Sequence, residues 1–243
     1  MNRVLITGAD RGLGYCLCEE FLHAGFQVFA GWFSKEYQLL EKLALQYPGM
    51  LERVPMDLGS TQSLKEAVQI VSQKTDSLDM LIDVAAFLRG PIGTSFRTET
   101  PIRPDLINKS LRVNAIGALE CTSLFLPLLR NGQMKRLCYV SSEVSSVNLI
   151  QRTEEFAYTS SKTALNMAVK MMHNSLYSQG FTFRIYAPGW MRLMLPDGSK
   201  ENKSPLQIDP EESARIAKEI FLSSRDDEQC VHQIDYLGGV WPF

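Results

Sequence analysis

What this chain has little of closes several classes of function. It has five cysteines in 243 residues (Cys16, Cys18, Cys121, Cys138 and Cys230). That odd number, with no C-x-x-C pair, suits neither a disulfide framework nor a zinc site. Reduced and mostly buried thiols are expected. Histidine is scarcer still: His23, His173 and His232 stand far apart without ligand partners nearby, so no metal site is expected. Charge of one sign is missing too, with 25 basic against 27 acidic residues and a net charge of −2. That balance argues against a nucleic-acid partner or a polybasic membrane contact. No stretch approaches the ~18 unbroken apolar residues of a membrane span. The first strand begins almost at Met1, which leaves no room for a signal peptide. A cytoplasmic protein is expected, with no linker, repeat or low-complexity tract.

What is present is a regular alternation. Hydrophobic residues make up 45% of the chain, enough for a sizeable core. Apolar runs at 3–6, 27–31, 51–56, 78–85, 137–140, 181–187 and 231–237 read as strands. Helical spacing appears at 15–24, 35–47, 61–74, 105–129 and 156–178, and again after Asp209. Ser60 is placed to cap the third helix. Asp209-Pro210 reads as a cap followed by proline at the first helical position. The run from Leu78 to Ala85 is apolar apart from Asp79 and Asp83, as suits a strand covered on both faces. The pattern predicts one doubly wound, Rossmann-type α/β domain over residues 1–243, with a seven-stranded parallel sheet flanked by helices. In such sheets ligands sit beyond the carboxyl ends of the strands.

The first strand leads into Thr7-Gly8-Ala9-Asp10-Arg11-Gly12-Leu13-Gly14 and then a helix. Gly8 suits an exit that a side chain would obstruct, Gly12 a close approach to a bound group, and Gly14 tight packing of the new helix. The helix aims its free N–H groups and positive dipole end at this turn, a ready phosphate site. Taken alone, the turn is equally a simple strand-to-helix connection.

A second pattern is Tyr158-Thr159-Ser160-Ser161-Lys162. Four residues apart, Tyr and Lys share a helix face. A phenol has a pKa of about 10, and a nearby ammonium lowers it toward useful acid–base chemistry; a solvated helix pair is the plain alternative. The loop before it supplies Ser141, Ser142, Ser145 and Ser146 as hydroxyls for a substrate oxygen. Asn114 sits inside a helix, where asparagine is mildly unfavourable unless it bonds something.

In order and spacing these patterns resemble the short-chain dehydrogenase/reductase family over essentially the whole chain. The resemblance implies a cofactor loop of Gly8, Arg11, Gly12, Leu13 and Gly14. It implies that Asp57-Leu58 contacts the adenine, that Ala85 lies along the cofactor, and that Pro188-Gly189 contacts the nicotinamide. Asn114 would hold a water in a proton relay, Ser142 would be the catalytic serine, with Ser145 its rival, Tyr158 the acid–base, and Lys162 its lysine. The sequence departs from the family plan in three places. Asp83-Val84-Ala85-Ala86 stands where Asn-Asn-Ala-Gly is usual, Arg192 where a threonine is usual, and the serine loop is longer than the common form. Asp83 therefore puts a carboxylate at a buried strand end, where it must be paired or protonated.

The place at which NAD-preferring members carry an acid falls on Trp32, followed by Phe33, Ser34 and Lys35. With Arg11 available to a 2′-phosphate, NADP(H) is preferred over NAD(H). The expected activity is interconversion of a small-molecule carbonyl and its alcohol by hydride transfer, with a substrate of apolar character. The alternative is a catalytically weak dinucleotide-binding sensor on the same fold. The substrate cleft is expected to be lined by Phe87 and Leu88, by 144–150 and by 190–195, with Arg89 or Arg192 available to an acidic group. The resemblance also implies a homodimer or homotetramer paired through the two long helices. The apolar end, Val240 to Phe243, is another possible subunit contact.

Overall fold

The computed structural model describes residues 1–88, 96 and 101–242. Strand and helix alternate as β1 (Arg3–Ile6), α1 (Gly12–His23), β2 (Gln27–Trp32), α2 (Leu39–Gln46), β3 (Leu51–Pro55), α3 (Thr61–Ser72) and β4 (Met80–Asp83). Then come α4 (Pro104–Leu111), α5 (Ala118–Arg130), β5 (Arg136–Val140), α6 (Phe156–Leu176) and β6 (Thr182–Ala187). The short strands β7 (Leu193–Met194) and β8 (Lys200–Glu201) precede α7 (Pro210–Leu222), β9 (Gln233–Asp235) and β10 (Val240–Trp241). The main sheet runs β10-β9-β6-β5-β4-β1-β2-β3, and every pairing is parallel except β9 with β10. Strand order reverses between β1 and β4, the switch point at which such sheets open a crevice.

The two-residue period of the strands divides the core. Leu5, Leu81, Leu137, Tyr139 and Ile185 face a layer built by Leu64, Phe125, Leu129, Leu165 and Val169 from α3, α5 and α6. Val4, Ile6, Met80, Ile82, Cys138 and Val140 face the opposite layer, made by Leu17, Phe21, Leu40, Ala217 and Phe221 from α1, α2 and α7. Strands covered on both faces need apolar residues at consecutive positions, which is why they read as unbroken runs. Asp79, the polar residue at the entry of β4, is absorbed by backbone donors: Arg3 N–H and Gln133 N–H each reach its carboxylate at 2.8 Å.

The helical run from Pro104 to Arg130 is long and apolar enough to cross a membrane by length and composition. Its Cys121, Phe125, Leu128 and Leu129 are instead buried in the core under the sheet. Residues Arg112–Gly117 within it form a π-helical turn.

Three sequence expectations are corrected. The sheet has an eighth strand beyond the seven parallel ones. The Asp235 carboxylate accepts hydrogen bonds from Leu237 N–H (2.9 Å), Gly239 N–H (2.7 Å) and Trp241 Nε1 (2.8 Å). Gly238 turns at φ 84°, and Val240–Trp241 return antiparallel within the chain. The second helix starts at Leu39 rather than Lys35, because Ser34 Oγ accepts from Glu36 N–H and holds a local turn. Ser60 caps α3 through Ser63 N–H (3.2 Å), but Asp209 makes no side-chain cap on α7. Its carboxylate is taken by Arg192 at 3.1 Å and Lys200 at 3.6 Å.

Candidate functional site

Beyond the carboxyl ends of the strands lies a cleft of about 1350 Å³. The glycine loop forms one end of it. Gly8 holds φ 63°, and a Cβ there would lie 2.7 Å from Ala85 Cα. A Cβ on Gly14 would land on the Gly8 carbonyl, so α1 can begin this close to the loop only with glycine. At Gly12 the same construction meets nothing within 4 Å, so Gly12 is the open side of the cradle. Thr7 Oγ1 ties the loop to the next strand, accepting Val84 N–H at 3.0 Å and Ala85 N–H at 3.1 Å. Asp10 accepts Phe33 N–H at 2.6 Å, which fixes the end of β2 beside the loop. Arg11 lies over the Tyr37 ring, 4.9 Å from its centroid. Gly12 N–H donates to Met194 Sδ at 3.3 Å, so β7 lies over the loop.

At the other end stand Ser142, Tyr158 and Lys162. Lys162 is buried, donates to the Val140 carbonyl at 2.8 Å, and lies 5.9 Å from the Tyr158 ring centroid. Burial lowers its pKa to about 8, against the raising pull of Asp83. Asp83 is itself pushed up to about 6 by burial, opposed by Lys162 and by the Thr7 hydroxyl, which donates to it at 2.8 Å. The Tyr158 phenol moves opposite to the expectation from spacing. Burial pushes it up to about 12, with Ser142 opposing, Glu143 and Glu155 raising it further, and Arg152 lowering it. A shared helix face does not bring the Lys162 charge against the phenol oxygen, because the ammonium is turned to Val140.

The serine loop separates its two candidates. Ser142 borders the cleft and donates to Glu143 Oε2 at 2.8 Å. Ser145 is buried, and its one hydroxyl hydrogen is shared between the Ser142 carbonyl (2.6 Å) and Gln233 Oε1 (2.9 Å). Asn166 Nδ2 adds bonds to Ser145 Oγ and Gln233 Oε1 at 2.8 and 2.9 Å, and Gln233 Nε2 reaches the Ser142 carbonyl at 3.0 Å. Ser145 therefore belongs to the buried frame that fixes the backbone of Ser142. Asn166 and Gln233 are the residues sequence reading missed; their signal was two polar amides on otherwise apolar faces. Glu143, with its partner Arg152 at 2.8 Å, was missed as well.

Of the other expected residues, Gly8, Arg11, Gly12, Leu13, Gly14, Phe33, Asp57, Leu58, Ala85, Pro188 and Gly189 all border the cleft. Two expected residues do not. Ser34 is engaged by Glu36 N–H. Asn114 is fully buried in the π-helical turn, where it accepts Phe87 N–H at 2.6 Å and donates to the Phe87 carbonyl (3.1 Å) and Ser161 Oγ (2.9 Å). Its amide braces the chain after β4. Phe87, Leu88 and residues 190–194 line the cleft, but Leu195 and 144–150 do not; Val144, Ser145 and Ser146 turn into the core, while Val147 and Leu149 are exposed. Arg192 borders the cleft but is paired with Asp209. Arg89 lies outside the described residues.

A model of the family described as short chain dehydrogenase matches residues 2–203. The chain belongs to the short-chain dehydrogenase/reductase family. With that it is an NAD(P)-dependent oxidoreductase acting on alcohol and carbonyl groups. It is 30% identical over 191 residues to an uncharacterized oxidoreductase of Schizosaccharomyces pombe, covering 77% of this chain and 73% of that one. Estradiol 17-beta-dehydrogenase 2 of Rattus norvegicus is 32% identical over 188 residues, which cover 76% of this chain and 47% of that protein. Among solved structures, the NADPH-bound carbonyl reductase from chicken fatty liver shares the fold with a TM-score of 0.83. The identity is 24%, covering 100% of this chain and 99% of that one. In this short-chain dehydrogenase/reductase Gly8 and Gly14 keep the loop packed against Ala85 and against itself, and the space at Gly12 is open.

Proposed function

We propose that the chain is an NADP(H)-preferring carbonyl reductase, or alcohol dehydrogenase in reverse, with Tyr158 as its acid–base. The observation that carries this reading is that Tyr158, Ser142 and Lys162 border the same cleft as the glycine loop. The loop N–H groups at the start of α1 would hold the diphosphate of the dinucleotide. Asp57 and Leu58 would flank its adenine, while Ala85, Pro188 and Gly189 would border its nicotinamide end. Nicotinamide, when bound, supplies or accepts the hydride.

The chain's own residues do the rest. Tyr158 passes its proton to the carbonyl oxygen or takes one from the alcohol. A phenol at about 12 holds its proton at neutral pH, the form that reduction needs. Ser142 orients the substrate oxygen, exchanging its bond to Glu143 for one to substrate. Lys162 holds the ribose and supplies positive charge. The NADP(H) preference rests on Arg11 over Tyr37 and on the absence of an acid at Trp32 and Phe33, where β2 ends. The substrate has apolar character, since Phe87, Leu88, Trp190, Met191 and Leu193 border the cleft. Exposed Ile116, Leu119, Met167 and Met171 on the two long helices offer an apolar face for a homodimer or homotetramer in the cytoplasm, which light scattering would size.

The test is oxidation of NADPH and of NADH, at equal low concentration, over a panel of aldehydes and ketones. Turnover with NADPH well above NADH is expected, and Arg11→Ala should erase about tenfold of that preference by removing one phosphate contact. Cofactor binding without turnover of any carbonyl would favour the sensor alternative.

A further inference from the structure

The buried end of β4 holds a carboxylate that the proposed reaction does not use. Asp83 is 1% exposed. Its Oδ1 accepts from Thr7 Oγ1 at 2.8 Å, and its Oδ2 is buried with no partner. Thr7 is held in turn by Val84 N–H and Ala85 N–H, so the carboxylate is fixed in place. A buried charge bonded this incompletely is costly unless an opposite one stands near.

Each element around Asp83 offers a partner, and only one of them is charged near neutral pH. From β1 comes Thr7, which is uncharged. From β5 comes Tyr139, the register partner of Asp83, and from α5 comes Cys121. Burial pushes both far above the neutral range. From α6 comes Lys162, whose ammonium donates to the carbonyl of Val140, the residue next to Tyr139 on β5. Carboxylate and ammonium are thus anchored one residue apart at the ends of adjacent strands, without a direct ion pair. Among the described residues the Val140 carbonyl is the one hydrogen-bond acceptor of an ammonium with three hydrogens to give.

We propose that Asp83 is a positioning residue whose buried carboxylate is the fixed counter-charge that keeps Lys162 an ammonium inside the cleft. This rests on the role given to Lys162 above. The direction of both titrations agrees: burial lowers Lys162 and raises Asp83, and each opposes the shift of the other. The two therefore titrate as one coupled system. Without Asp83, the desolvation of Lys162 is unopposed and its proton leaves at lower pH.

The experiment follows both groups directly in the purified protein by NMR, using lysine labelled with 15N at Nζ and aspartate labelled with 13C at the carboxyl. Lys162→Met identifies the Lys162 signal by its loss, and Asp83→Asn does the same for Asp83. In Asp83→Asn, which keeps an oxygen for the Thr7 hydroxyl, the Lys162 midpoint should fall by about one unit, tenfold in proton affinity. In Lys162→Met the Asp83 midpoint should rise, an arm that requires no folded Asp83 variant. A midpoint that stays put in either arm overturns the pairing. The alkaline limb of kcat/KM in Asp83→Asn should move acid by the same amount as the Lys162 midpoint, and a limb that does not move overturns the link to the reaction. Shifted midpoints with no turnover of any carbonyl would sink the proposed reaction and leave the pairing standing. Turnover with unshifted midpoints would do the reverse.

Discussion

Buried charges on and beside this sheet are treated in opposite ways, as Arg184 and Asp83 show. Arg184 on β6 is 1% exposed. Its guanidinium is forked onto Glu228, with NH1 also donating to the Phe183 carbonyl at 2.8 Å and NH2 to the Ser223 carbonyl at 2.7 Å. That is bidentate pairing with neighbouring carbonyls engaged as well, and it pins β6 to the segment between Ser223 and Glu228. Lys162, which borders the cleft, and Asp83, buried beneath it, have one hydrogen bond each and no ion pair between them. A pair bonded this heavily, with four hydrogen bonds from its two terminal nitrogens and only Nε left unpartnered among the described residues, is worth its desolvation only as structure. Burial without full bonding leaves protonation states that can still be moved, which a site that trades protons can use. The contrast therefore separates side chains that hold the fold from side chains held ready by it.

The largest expected effect lies in the cleft. Tyr158→Phe should lower kcat by about 10³-fold, within the range for loss of a positioned acid–base group. Its melting temperature and NADPH affinity, measured by scanning calorimetry and fluorescence titration, should scarcely change. Retained turnover would remove the phenol from the chemistry. The mirror-image change is Glu228→Ala. Stripping the partner from a buried guanidinium should cost about 3 kcal/mol of stability by urea titration, the low end for a broken buried pair, because the Glu228 side chain is 21% exposed. The KM for cofactor should be unmoved. A change in KM larger than in stability would place Glu228 on the wrong side of the comparison.

The two serines sharpen it within one loop. Ser145→Ala takes one hydrogen-bond partner from each of Asn166 and Gln233, which keep their bond to each other, and the buried N–H left unpaired costs about 2 kcal/mol. Ser142→Ala should leave stability near wild type and lower kcat by about 10²-fold. If Ser145→Ala were the variant that lost kcat at full stability, the roles given to the two hydroxyls would exchange.

What the sequence disclosed follows the same division. The strands were legible because burial on both faces forces unbroken apolar runs, and the cleft's position followed from strand order. Gly8, Gly14 and the Tyr158–Lys162 pair stood out because their spacing along the chain is short and local, whereas Ser142 came only from the family resemblance, with Ser145 beside it. The frame behind Ser142 was not: Gln233 meets Ser145 across 88 residues, and no local period records that. The π-helical turn holding Asn114 has no pattern of its own, since one inserted residue leaves the apolar spacing on either side intact. The eighth strand depended on Asp235 gathering three donors, where the letters read only as a turn. Nor could spacing give the sign of the Tyr158 shift, which depends on burial and on where the Lys162 ammonium points.

The smallest effect is the one that tests the contrast most directly, through stability against pH. Burial would raise Glu228, but Arg184 and its neighbours hold its carboxyl below the usual range. Its contribution is therefore complete above the unfolded value of about 4.3 and fades as pH falls through the folded one. Asp83 has the opposite sign. Raised to about 6, it holds a proton in the folded chain that the unfolded chain has released, so stability falls as pH rises from about 4 to 6. Lys162, lowered to about 8, makes stability rise with pH between about 8 and 10.4, because there the unfolded chain binds the extra proton. Both cleft groups thus cost stability at neutral pH. In Asp83→Asn the buried carboxylate is gone and Lys162 sheds its proton about one unit earlier, so its own uncompensated charge is partly relieved at pH 7. That variant should be as stable as wild type at pH 7 or better by ~1 kcal/mol, and should lose the decline between pH 4 and 6. Glu228→Ala should keep that decline and lose the acid-side fade. Urea titrations across pH read both. A clear destabilisation of Asp83→Asn at neutral pH would make Asp83 a group of the same kind as Glu228.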